Sequence, residues 1–499
     1  MVAAALLFPP VGMVLLWLRS GTRVSRKIIG SLAIAIIAIV ELFTIYGLRA
    51  ELAGGGTSLI FSFRSKEAHY SELERSRQQP PAPIEAAVRS ETPSQPGATS
   101  PPSAPASPPV TRSSSYWTGF MGPSRDGRYG EMPIRTNWPS TGLPLLWKQP
   151  IGGGYASFAV ADGKAFTIEQ RRDQEVVAAY DVATGRELWT NKWDADFREP
   201  LGGDGPRATP VYDEGRLYVL GAEGELRCLD ARTGGLVWRL NILQDNGAEN
   251  LQWGMAASPL VADGKVIVLP GGPSGKSVVA YDKLTGTSVW KVLDDPQAYT
   301  APMMATIGGR RQLLVVSAQR AMGLAIEDGR LLWAYPWSTY NGINVAQPVV
   351  LSENRLFLSA SYDHGAAVVE LTPTGDAFTA TTVWKNNRMK NRFSTSVLYE
   401  NHLYGLDEGI LACLDPLTGE LKWKGGRYGY GSLVLAGGHL VVLSERGDLV
   451  LVKATPVRHE EVTSFSAIDG KTWNPPALSG GRLLVRNATE MAAFDISAR

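Results

Sequence analysis

One ten-residue phrase governs what this chain can become. It reads YDVATGRELW at 180–189, LDARTGGLVW at 229–238, YDKLTGTSVW at 281–290 and LDPLTGELKW at 414–423. Asp, Thr, Gly and Trp hold one spacing in all four copies, at zero, plus three, plus four and plus eight. In such a turn the Asp and Thr side chains bond neighbouring backbone groups and the Gly takes a positive φ. The Trp that follows is then free to pack between neighbouring sheets.

The outer aromatic of each unit falls at Trp147, Trp189, Trp238, Trp290, Trp333, Trp384, Trp423 and Phe465, with gaps of 42, 49, 52, 43, 51, 39 and 42 residues. Each unit reads as four short strands. In RATPVYDEGRLYVLGAEGELRCLDARTGGLVWRL the apolar residues alternate and Glu214-Gly215 and Glu223-Gly224 mark the turns, as hairpins require. Four-stranded sheets repeating every 40 to 50 residues describe a β-propeller. The last unit, ALSGGRLLVRNATEMAAFDI, offers three strands, and PLLWKQPI at 144–151 is an outer strand lacking the three before it. Pairing the two closes the ring and removes both open edges. The expected fold is all-β, an eight-bladed propeller closed by an N-terminal strand.

Composition sets the outer limits. A net charge of +1 gives no field for nucleic acid. Cys228 and Cys413 stand at matching strand positions and read as small buried hydrophobes. The five histidines (69, 364, 402, 439 and 459) show no metal-ligand spacing.

The first 115 residues are different material. Val2–Leu18 and Ile28–Leu48 are apolar runs separated by Arg19, Arg23, Arg26 and Lys27. A bilayer core needs about 20 apolar residues, and the cations place the intervening loop in the cytoplasm. The expected organisation is a membrane anchor over 1–48, read as two transmembrane helices, then a juxtamembrane segment over 49–78. Residues 79–115 hold ten prolines and eight serines; such a stretch cannot bury enough apolar area to fold and reads as a disordered tether. The propeller occupies 116–499. The expected location is the bacterial inner membrane, with the propeller on the periplasmic side.

Eight blades bearing DxxTGxxxW resemble the pyrroloquinoline-quinone (PQQ) repeat superfamily. That superfamily includes the quinoprotein alcohol dehydrogenases and the propeller lipoprotein of the outer-membrane β-barrel assembly machine. The resemblance covers about 116–499, and FMGPSRDG at 120–127 is similar to the lead-in of membrane-tethered bacterial members without an assigned reaction. The repeat implies a fold, not an activity. The dehydrogenases of this superfamily commonly carry adjacent cysteines beside the quinone, whereas Cys228 and Cys413 are far apart, and their acidic base and calcium-binding acids find no match here. A lipobox cysteine, expected of the assembly lipoprotein, is also missing.

Aligning the blades on their inner strands gives two rows that point the same way. One holds Ser157, Thr209, Ser258, Ala301, Gln347, Thr395, Gly431 and Pro475; the other holds Tyr155, Arg207, Ala256, Tyr299, Val345, Phe393, Gly429 and Trp473. If both face inward, the channel is hydroxyl-lined with an aromatic collar and Arg207 at its mouth. Trp253 and Trp473 stand outside the blade-packing position, where a flat ring suits a planar ligand and Arg207 a carboxylate. Asn344, Gln347 and Arg392 add polar groups. The candidate binding residues are therefore Tyr155, Arg207, Trp253, Tyr299, Asn344, Gln347, Arg392 and Trp473; these rings serve equally well as a plug of the channel. PGGPSGKS at 270–277 lacks the first Gly of a phosphate loop and precedes a strand, so no nucleotide is expected. The expected function is a binding or scaffolding module for a protein or envelope polymer, with no cofactor. The alternative is an oxidoreductase using PQQ with calcium.

Overall fold

The computed structural model of the chain describes residues 9–19, 21–44, 48–53, 58–63, 66–78 and 116–498. Their strands form eight four-stranded antiparallel blades in chain order. Blades 1 to 7 span 159–194, 211–241, 260–292, 303–336, 349–386, 397–427 and 432–466. Blade 8 takes three strands from 477–495, and Leu145–Pro150 is its outer strand, with Ala493 opposite Trp147. Blade 7 gains a fifth strand, Arg128–Tyr129, which runs parallel to Ser432–Ala436.

The repeated phrase is an inter-blade joint. Asp181 Oδ1 accepts from the Ala183 and Thr184 amides and from Thr184 Oγ1 at 2.9–3.1 Å; Asp230 and Asp282 repeat the pattern. The turn glycines, among them Gly185 and Gly234, take φ near 71° and 75°. A Cβ on Gly185 or Gly234 would stand 2.6 or 2.5 Å from Trp147 or Trp189 of the preceding blade. The indole therefore needs glycine both for the turn and for the approach. Each such indole also donates Nε1–H across the gap: Trp147 to Val182 O, Trp189 to Ala231 O, Trp238 to Lys283 O and Trp384 to Pro416 O, at 2.9–3.2 Å. Blade 5 replaces the short turn with a hairpin of two ten-residue strands, and Trp333 before it donates within its own blade, to Gln312 Oε1 at 2.6 Å. Cys228 and Cys413 are free and fully buried.

The expected two-helix membrane anchor is not shown by the described residues. Among the described residues no helix is long and apolar enough to cross a membrane. Pro9–Leu18 has ten residues, about 15 Å at 1.5 Å per residue. Val24–Thr44 carries Arg26 and Lys27 in its first turn and Glu41 near its end. The apolar run does not continue as helix to Leu48, because Leu48 opens the strand Leu48–Ala53, paired with Ser58–Phe63. Leu16 and Ile34 pack together between the two helices. The juxtamembrane segment ends in the helix Lys66–Gln78. The Pro/Ser-rich stretch 79–115 lies outside the described residues.

One buried acid makes the fold pH-sensitive. Glu175, fully buried, takes the Ala222 amide on Oε1 at 2.7 Å and lies beside the Trp193 indole. Burial raises its carboxyl to about 7. The folded state thus holds a proton that the unfolded chain releases at ordinary carboxylate pH, so stability falls as pH rises from about 4.5 to about 7. Glu175→Gln keeps an acceptor without the charge. It should match wild type at pH 4.5 and exceed it by up to about 3 kcal/mol at pH 8, read from urea unfolding at both pH values.

Candidate functional site

The inner strands converge on a central channel whose walls are held by hydroxyls bonded around the ring. The Ser157 amide donates to Thr209 Oγ1 at 2.9 Å, the Thr209 amide to Ser258 Oγ at 2.8 Å, and the Gln347 amide to Thr395 Oγ1 at 3.0 Å. Ser157 Oγ donates to Pro475 O at 2.6 Å. The hydroxyl row is therefore a set of joints between blades, consumed by the backbone.

Above it opens a cavity of about 260 Å³. Six of the eight expected site residues line it: Tyr155, Arg207, Trp253, Tyr299, Arg392 and Trp473. Trp473 lies between Tyr155, stacked at 5.2 Å, and Phe393, tilted at 4.5 Å between ring centroids. Its Nε1–H donates to Glu445 Oε1 at 2.9 Å. Trp253 leans on Tyr299 at 5.8 Å and 59°. These rings support one another, and the indole of Trp473 already has an aromatic neighbour on each side.

The charged residues that line the cavity are Arg207 and Arg392. Arg207 is not the free cation the sequence suggested. Its guanidinium donates to Gly205 O at 2.7 Å and Gly203 O at 2.9 Å and stands over the rings of Tyr155 and Phe197. Burial holds it below the usual arginine range. Its first task is to fold the Gly202–Gly205 loop. Arg392 stands over Tyr362 and Tyr430, at 4.8 and 4.7 Å, and donates to Tyr430 OH at 3.0 Å. Burial works against its charge, but Tyr362 and Tyr430 carry it above the usual range.

Asn344 and Gln347 do not line the cavity. Asn344 Nδ2 donates to Ser317 O and Trp337 O, fastening a turn, and Gln347 is buried in the ring wall. The inner-strand alignment missed Lys471, buried against Trp473 with its ammonium 4.5 Å from the ring centroid. Lys471 is two residues before Trp473, so strand alternation was the available signal.

The lead-in segment is the larger surprise, because it forms the floor. Trp117 O accepts from the Val160 amide of blade 1, Thr118 O from Tyr212 of blade 2, and Gly127 O from Leu435 of blade 7. Between these ties Phe120 and Met121 line the cavity. Arg125 is buried and donates to Ser258 O at 3.1 Å, Pro302 O at 2.8 Å and Pro259 O. Burial lowers its guanidinium to about 9. Beyond the segment lies a second cavity of about 210 Å³, lined by Ser124, Asp126, Arg128 and inner strands of blades 4 to 6. Thr395 lines both cavities, and residues 120–128 contribute to the wall of each.

The family described as outer membrane protein assembly factor BamB matches residues 172–425, half of the chain. The chain belongs to this family. The BamB of Burkholderia pseudomallei is 24% identical over 378 residues, covering 65% of this chain and 92% of that protein. Quinohemoprotein alcohol dehydrogenase ADH-IIG of Pseudomonas putida is 29% identical over 171 residues, covering 32% of this chain and only 22% of its own length. Among solved structures, BamB from Moraxella catarrhalis superposes with a TM-score of 0.52 at 17% identity, over 71% of this chain and all of that one. A europium-containing methanol dehydrogenase gives 0.54 at 14% identity, over 74% and 89%. These superpositions establish a shared fold, the PQQ-like β-propeller.

PQQ with calcium is what the dehydrogenase side of the superfamily implies. The donor set fits it poorly. Among the described residues no three His, Cys, Asp or Glu side chains are grouped to hold a metal, and no carboxylate lines the cavity.

Proposed function

We propose that the chain is a BamB-type binding module of the cell envelope, a rigid extracytoplasmic propeller that docks a protein partner during envelope assembly. The observation that carries this reading is coverage. The likeness to the assembly factor of B. pseudomallei runs through 92% of that protein, whereas the likeness to the P. putida dehydrogenase stops at 22%. The cavity supports the same reading, since its rings are braced against one another and its arginines are engaged by carbonyl, phenol and aromatic groups. In this role the propeller needs no cofactor, and the aromatic collar with Arg392 is the docking face.

The discriminating measurement is paired. Site-specific photocrosslinking from Tyr340, a largely exposed aromatic, and from Trp253 at the cavity should capture a discrete envelope protein. Calorimetry of the purified chain with PQQ and calcium should give no binding at tens of micromolar. Saturable binding of PQQ with no crosslinked protein would replace this reading with the oxidoreductase one.

A further inference from the structure

The ring closes inside blade 8, where the outer strand Leu145–Pro150 pairs with Glu490–Asp495, and the helix Lys66–Gln78 lies against the end of that closing strand and against blade 1. Leu73 of that helix is fully buried. His69, also buried, donates Nε2–H to Ile151 O at 2.8 Å. Arg77 reaches furthest: it donates to Gln149 Oε1 at 2.6 Å and Pro150 O at 2.7 Å. Its guanidinium also stands 5.0 Å from the Tyr180 ring centroid and 3.3 Å from Glu187 Oε2. The helix thus grips the end of the outer strand of blade 8 and two residues of blade 1.

Arg77 also completes a buried charge network. Burial alone would raise the Glu169 carboxyl, but Arg171, Arg77 and Arg486 bring it down to about 2. Arg486 belongs to blade 8 and donates to Thr167 Oγ1 and Ile168 O of blade 1. On the outer side, Arg172 bridges Glu67 and Glu74 at 2.7 and 2.8 Å and stands over the Tyr70 ring. A helix rich in charged residues, with Leu73 and His69 buried and Arg77 half-buried, is held by specific polar contacts rather than by a broad apolar face.

We propose that Lys66–Gln78 is a built-in clamp that holds the N-terminal segment on the closing strand and blade 1, whether or not the chain between Gln78 and Trp117 is intact. The chain leaves the clamp at Gln78 and re-enters the ring at Trp117, whose carbonyl is bonded to blade 1. The Pro/Ser-rich stretch is then not a spacer between the N-terminal helices and the propeller. Cutting within 79–115 therefore does not free the propeller from the N-terminal segment. This inference is independent of the binding role proposed above.

The test is a cut in the full chain, kept in detergent, at a protease site inserted after Gly97. After cleavage the N-terminal piece should co-elute with the propeller as a one-to-one complex of the mass of one chain. In the double variant Leu73→Asp, Arg77→Ala the two pieces should elute apart, while wild-type circular dichroism shows the ring still folded. Should that variant unfold, Glu67→Lys, Glu74→Lys provides the milder break, with repulsion from Arg172 raising the fraction released. Separation of the wild-type pieces after cutting would overturn the proposal, as would co-elution of the pieces from both variants. Elution of the uncut chain as a two-chain species would also overturn it, placing the helix on a neighbouring copy instead.

Discussion

Trp147→Ala should cost the ring about 3–5 kcal/mol, the scale of a large aromatic removed from a core. Trp147 is 4% exposed, packs on Gly185 of blade 1 and donates to Val182 O. It is the indole that joins the outer strand of blade 8 to the next blade. The loss therefore falls on the closing strand, in the one blade built from non-consecutive parts of the chain. Urea unfolding monitored by circular dichroism should show an earlier midpoint. Trp189→Ala, at a joint between consecutive blades, should cost less, because Trp189 is only partly buried. Deleting 144–151 removes the strand itself and should leave no cooperative transition. A deletion variant that melts like the intact chain would refute the ring-closing role of that strand.

Arg125→Ala is expected to cost a similar 3–5 kcal/mol, the range for removing one partner from a buried charged contact. The side chain satisfies carbonyls of blades 3 and 4, and each carbonyl left bare in a dry interior costs about 1–3 kcal/mol. Arg125→Lys should recover only part of this, since one ammonium cannot match the planar fork that reaches three carbonyls. Equilibrium unfolding of the three proteins checks the ranking. Hydrogen exchange should locate the loss in 117–129, with the Leu435 amide, bonded to Gly127 O, exchanging faster in Arg125→Ala than in wild type. Equal protection there would mean that the floor is held without Arg125.

The collar was readable because strand alternation is a period of two and survives in every blade. Tyr155, Arg207, Tyr299 and Trp473 follow from one aligned row, and Trp253 from its absence at the blade-packing position. What those side chains do was not readable. Arg207 looked like a free cation because the carbonyls it binds, Gly203 and Gly205, advertise nothing in a sequence. Asn344 and Gln347 looked functional because polar residues in a turn and in a ring wall carry the same letters as ligands.

The eight-bladed ring, its four-stranded sheets and the position of its closing strand were determined by the sequence itself. The repeated Asp, Thr, Gly and Trp are local requirements: a side chain bonded within three residues, a positive φ, an indole one strand away. Such requirements recur at fixed spacing and leave a pattern. Only the tertiary structure decided that FMGPSRDG lines two cavities, that Arg125 is buried among carbonyls of two blades, and that Lys66–Gln78 packs on the closing strand and blade 1. Each of these rests on contacts made once in the ring, several of them to backbone acceptors more than 70 residues away. A contact made once has no period, and a carbonyl has no side chain to mark it.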